Sequence, residues 1–141
     1  MKHIFLIHSH TLFLTAMGVL DFLKIDKEAV VFLYSRHYSN SLIEPGCKTV
    51  DVTDLADRQE QLLDNRKRKG LLDEIDKLID HVAGSSFVLY APHFAMVFAQ
   101  ALYTHKKCVK AAYIQEGGMI YRKSITTHLS FRQKTPLFCC G

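Results

Sequence analysis

Apolar residues in this chain come in short runs separated by stretches of helical periodicity. The first run, His3 to Ile7, is rich in Ile, Phe and Leu and is bounded by the polar His8, Ser9, His10 and Thr11, which is the pattern of a buried strand. Leu12, Ala16, Val19, Leu20 and Leu23 then recur on one helical face, with Ser9 or Thr11 placed to cap the first turn. Ala29 to Tyr34 predicts a second strand, and Cys47 to Val52, after the Pro45 and Gly46 turn signal, a third. From Thr53 or Asp54 to about Val82 the pattern is helical, with a stripe at Leu71, Ile75, Leu78, Ile79 and Val82, and Gly70 is expected to divide it into two helices. Phe87 to Tyr90 reads as strand four. Pro92 is expected in the first turn of the following helix, where a missing N–H costs little. That helix carries Phe94, Val97, Phe98, Ala101 and Leu102 on one face, Lys106 and Lys107 are expected to close it, and Cys108 to Ile114 supplies strand five.

Strands that alternate with helices and are apolar on both faces predict a parallel sheet covered on both sides. The expected fold class is α/β, a Rossmann-like sheet of about five strands, and right-handed crossovers favour the order 3-2-1-4-5. The expected domain runs from 1 to 121. Residues 122–141 are expected to form a helix or loose tail, or the truncated start of a second domain.

Composition narrows the class of protein. A chain of 141 residues, 48% hydrophobic, has the material for one buried core. The apolar stretches Ile4 to Leu23 and Phe87 to Leu102 are broken by polar residues, so no transmembrane segment is expected, and peripheral membrane association stays open. Met1, Lys2 and His3 lead directly into a strand without a cleavage signal, which points to the cytoplasm. A net charge of +4 is mild, and the Arg66, Lys67, Arg68, Lys69 cluster lies in a polar helical stretch without interleaved aromatics. A nucleic-acid partner is therefore not expected. Cys47, Cys108, Cys139 and Cys140 form no CxxC pair and read as free thiols rather than zinc ligands.

Ligands of open parallel sheets gather at the carboxyl ends of the strands. The polar residues there are His8, Ser9, His10 and Thr11 after strand one, Arg36 and His37 after strand two, His93 after strand four, and Gln115 and Glu116 after strand five. Of these, His10, Thr11, Arg36, His93 and Gln115, together with Gly117, are the candidate substrate-binding residues. His10 and His93 are expected at helix N-termini, where the dipole favours a neutral ring. Glu116, followed by Gly117 and Gly118, is the candidate general base. Neither GxGxxG nor GxxxxGK[ST] follows strand one, so no dinucleotide cofactor or P-loop chemistry is expected. A receiver domain would need an acidic pair after strand one and a lysine after strand five, and both are missing from this sequence.

The segment Tyr113, Ile114, Gln115, Glu116, Gly117, Gly118 resembles the bacterial sialyltransferases and polysialyltransferases built from two Rossmann-like domains. Their N-terminal half carries an acidic-acidic-glycine motif after a buried strand. The resemblance implies that Gln115, Glu116 and Gly117 occupy that motif and that the opening strand and helix match the family's start. It further implies an acceptor-side domain, with a glycan acceptor and a nucleotide-sugar donor as partners. Gln115 stands where the family has its base, and an amide takes up no proton at neutral pH, which leaves Glu116 for that role. The family's nucleotide site, with its His-Pro and Ser-rich motifs, belongs to a second domain, so this chain is expected to be inactive alone. The alternatives are a non-catalytic small-ligand-binding or regulatory domain, whose strand ends hold an anionic ligand, and a flavodoxin-like domain, which bound flavin would colour yellow.

Overall fold

The computed structural model describes residues 1–40 and 46–114. The expected tail 122–141 and the motif residues Gln115, Glu116 and Gly117 lie outside the described residues. The chain opens with strand β1 (Lys2–Ile7) and helix α1 (His10–Leu23), followed by β2 (Val30–Tyr34) and β3 (Lys48–Asp51). Helices α2 (Thr53–Asp57) and α3 (Arg68–Ala83) precede β4 (Phe87–Ala91), helix α4 (Val97–Thr104) and β5 (Cys108–Tyr113). All five strands are parallel in the order β3-β2-β1-β4-β5. No helix among the described residues is long and apolar enough to cross a membrane.

Side chains on a strand alternate between faces, and the core divides accordingly. Phe5, Ile7, Val30 and Phe32 pack with Leu12, Phe13, Ala16 and Leu20 of α1, whereas Ile4, Leu6, Val31 and Leu33 pack with Ile75, Ile79, Phe98 and Leu102 of α3 and α4. The central strands β1, β2 and β4 are buried on both faces, as all-apolar sequences require. The edge strands depart from that expectation: β3 is mostly exposed and β5 carries the exposed Val109, Lys110 and Tyr113. An edge strand has a neighbour on one side only, so polar positions there cost little.

Three local expectations are corrected. Gly70 does not divide the helical stretch. It lies in the first turns of α3, and the break falls earlier, at Asp64, whose carbonyl accepts from the N–H groups of Lys67 and Arg68 and whose carboxylate accepts from Arg66. Pro92 is not in a helical first turn. Phe94, buried against the core, anchors an extended loop, and α4 starts only at Val97, where the Gln59 side-chain oxygen accepts from the Phe98 N–H at 3.2 Å. Lys106 and Lys107 do not close α4, which ends at Thr104. Lys107 instead reaches the carboxyl end of α3, donating to the Gly84 carbonyl at 2.6 Å and pairing with Asp80 at 2.5 Å. The attraction of a cation to a helix C-terminus operates as expected, on the neighbouring helix.

The turn from α4 into β5 is pinned by His105, whose side chain is only 5% exposed. Its Nδ1 accepts from the Lys107 N–H at 3.1 Å, and its Nε2 lies 3.2 Å from the Asp76 carboxylate. Both contacts are met by the neutral ring with its proton on Nε2. Burial pushes the His105 pKa below the usual 6.5, against the pull of Asp76, and burial lowers that of His3 as well. A folded pKa below the unfolded one means the unfolded chain binds more protons. The contribution is thus complete above about pH 6.5 and is lost as pH falls through the folded values. The melting temperature is expected to drop as pH falls below about 6.5, and His105→Asn to flatten that slope. An unchanged slope in the variant would assign the effect to other groups.

Candidate functional site

Because every strand points the same way, all five carboxyl ends share one rim. Ile7 stands opposite Tyr34, Tyr34 opposite Asp51, and Ala91 opposite Tyr113. The chain leaves β1 toward β2 through α1 on one face, and reaches β4, on the other side of β1, through α3 on the opposite face. The connections therefore diverge between β1 and β4, which opens the crevice where such sheets bind ligands. His8 and Ser9 follow β1 at this point of the rim, and the residues from Pro92 to Met96 follow β4.

The first loop is tight. Ser9 is extended (φ −152°, ψ 159°), and its hydroxyl accepts from the Leu12 N–H at 3.3 Å, so α1 begins at His10 without any intervening residue. His10 is exposed, with Nδ1 at 3.4 Å from the Tyr38 hydroxyl and its ring stacked near Phe13. Thr11 is exposed in the same turn, and its carbonyl accepts from Thr15.

Directly after β2 the backbone turns through Arg36 and His37, each with φ +55°. The Ser35 carbonyl accepts from the Tyr38 N–H at 3.1 Å, so this is a four-residue turn with two left-handed central residues. Asn and Gly normally fill such positions. An ordinary side chain costs about 1–2 kcal/mol at each. The turn is held from three sides. Ser35 N–H donates to the Ile7 carbonyl at 2.9 Å, His37 N–H donates to the Thr53 hydroxyl at 3.0 Å, and Thr53 N–H donates to the Asp51 carboxylate at 2.8 Å. Hydrogen bonds from the Thr53 hydroxyl and N–H hold the Asp51 carboxyl below its ordinary pKa, and the nearby His37 adds to that.

This geometry carries the Arg36 guanidinium back over β1, where Nη1 lies 3.5 Å from His8 Nδ1. His8 is 8% exposed and Ser35 fully buried. A guanidinium only donates, so Nδ1 is the accepting nitrogen of this contact. The Ser35 hydroxyl has no hydrogen-bond partner among the described residues, and neither does the buried Tyr34 hydroxyl. Burial, with Tyr38 and Cys47 nearby, pushes the Tyr34 pKa up to about 12, so this phenol stays neutral. On the outer side of the turn, His37, Asp51, Thr53, Asp54 and Asp57 line an open cleft of about 350 Å³. No group of three among the described His, Cys, Asp and Glu residues is placed to hold a metal ion.

Of the residues picked out from sequence, His10, Thr11, Arg36 and His93 all sit on the carboxyl rim. Arg36 meets His8, and His10 meets Tyr38. His93 is half-buried and lies in the loop after β4, four residues before α4, so the helix-dipole expectation does not apply to it. Gln115, Glu116 and Gly117 are outside the described residues. Ser35 and Thr53 were not singled out from sequence. The available signal is positional, since each is a small hydroxyl residue within two positions of a strand's carboxyl end. Comparisons of this chain with models of known protein families, with curated proteins and with solved structures found no match.

Proposed function

We propose that this chain is the acceptor-side domain of a glycosyltransferase, which moves a sugar from a nucleotide donor onto a surface glycan, and that the carboxyl rim holds the acceptor. The observation that carries this reading is the switch point between β1 and β4, where His8 and Ser9 follow one strand and His93 the other in place of a glycine-rich phosphate loop. Imidazoles and hydroxyls that both donate and accept hydrogen bonds suit sugar hydroxyls. The resemblance of Gln115, Glu116 and Gly117 to the sialyltransferase motif supplies the reaction type. Ile114, whose N–H donates to the Ala91 carbonyl at 3.0 Å, brings the chain to that rim just before the motif. In the proposed reaction the Glu116 carboxylate accepts the proton of the acceptor hydroxyl. The hydroxyl oxygen bonds to the anomeric carbon, and the nucleotide leaves with the electron pair of the broken C–O bond.

The chain alone is expected to bind acceptor without turning it over. Titrating the isotope-labelled chain with a panel of oligosaccharides is expected to shift the His8, His10 and His93 imidazole signals, with dissociation constants on the order of millimolar. His93→Ala is expected to weaken binding about fivefold, the worth of one hydrogen bond. Micromolar binding of a cytidine or uridine nucleotide, sugar transfer by the purified chain, or silence of all three rings toward every glycan would each overturn the reading. A non-catalytic ligand-binding domain is the second reading, favoured by the absence of a carboxylate beside Arg36 among the described residues.

A further inference from the structure

We infer that Arg36, Ser35 and His8 form an oxyanion-binding site at the end of β2, shaped for the carboxylate or phosphate group of whatever molecule occupies the rim. The inference deepens the function proposed above and rests on the rim being the ligand site.

Arg36 differs from Arg58, whose guanidinium is paired with carboxylates. Arg58 is clamped between Asp54 at 2.8 Å and Glu74 at 2.6 Å, tying α2 to α3. Arg36 has no carboxylate within ion-pair distance among the described residues, and its partner is an imidazole nitrogen at the limit of hydrogen bonding, 3.5 Å away. A guanidinium offers five donors in a planar fork, and one long contact leaves most of that fork to bind an oxyanion.

The backbone keeps the fork in place. Arg36 and His37 are both left-handed, and the turn is secured by the hydrogen bonds of Ser35, His37 and Tyr38. Asn or Gly would make this turn with less strain, so the turn itself does not call for an arginine. The two residues divide the surroundings. His37 lines the acidic cleft with Asp51, Asp54 and Asp57, whereas Arg36 turns toward His8, away from those carboxylates.

Ser35 is the independent observation. The register Ile7 opposite Tyr34 puts Ser35 beside His8, one residue past the paired strands. The residue is fully buried, and its hydroxyl has no hydrogen-bond partner among the described residues. Buried hydroxyls are rarely left unsatisfied, and a ligand oxygen held by Arg36 would accept its proton. The positive end of α1, which starts at His10, adds to the same field.

The test uses the full chain at low salt, titrated separately with inorganic phosphate, glucuronate and neutral galactose, and read by calorimetry and by the Ser35 and His8 resonances. Phosphate or glucuronate is expected to bind about tenfold more tightly than galactose and to weaken with added salt. Phosphate alone would identify a phosphoryl group as the natural ligand, glucuronate alone a carboxylate, and either supports the site. Arg36→Met is expected to abolish the preference, Arg36→Lys to keep part of it, and Ser35→Ala to weaken it severalfold, each with an unchanged backbone spectrum. Equal binding of the three probes, or a preference that survives Arg36→Met, would overturn the inference. Glycan binding that is indifferent to Arg36→Met would leave the acceptor-domain reading standing without this site. Anion binding in a chain that ignores every glycan would do the reverse.

Discussion

Phe5→Ala is expected to cost about 3–5 kcal/mol of stability, the range for emptying a fully buried phenyl site. Phe5 is completely buried and sits in the middle of a run of rings. Phe13 of α1 meets Phe32 of β2 edge-on at 5.7 Å, Phe32 meets Phe5 of β1 edge-on at 5.6 Å, and Phe5 stacks on Tyr90 of β4 at 4.2 Å with the ring planes 5° apart. Removing the central ring leaves both neighbours facing a void and forfeits two aromatic contacts worth about 0.5–1.5 kcal/mol each beyond area burial. A domain of this size is stable by only about 5–15 kcal/mol, so the variant stands near the edge of folding. Urea unfolding followed by circular dichroism gives the number, with Phe5→Leu as the control at about 1 kcal/mol. A loss below about 1.5 kcal/mol would mean that the two faces of the crevice are not joined through this ring stack.

The architecture was legible because three central strands are written in apolar letters. KHIFLI, VVFLY and FVLYA have no alternative as surface elements, and the helical stripes between them dictate parallel pairing. The failures have a common cause, which is distance along the chain. The late start of α4 depends on Gln59, 39 residues away, capping Phe98, and no local pattern shows that bond. Lys107 looks like the end of α4 in sequence and serves α3 in space, because β4 lies between them in the chain but not in the packing. At the site, Arg36 and His10 were recognisable as polar residues at strand ends. Ser35 was not, since one serine after a strand carries no signal until the register sets it beside His8. Nor could the sequence disclose the left-handed pair at Arg36 and His37, for neither is a residue that announces such a turn.

That pair yields a prediction of opposite sign. Arg36→Gly combined with His37→Gly is expected to stabilise the chain by about 1–2 kcal/mol while destroying oxyanion binding. Each left-handed side chain costs about 1–2 kcal/mol, which glycine relieves. Against this, each glycine adds about 0.5–1 kcal/mol of chain entropy to be lost on folding. The hydrogen bonds that hold the turn run through the backbone of Ser35, His37 and Tyr38, so they survive the double change. The side-chain interactions that disappear are the long, part-buried contact from Arg36 to His8 and the attraction of His37 for Asp51. Thermal and urea unfolding measure the gain, and the phosphate titration measures the loss. A more stable, non-binding variant would mean that strain is retained at this turn for the sake of what Arg36 holds, as functional sites often do. A less stable one would mean that the two side chains support the fold, and the case for a ligand at this end of the rim would lose its energetic footing.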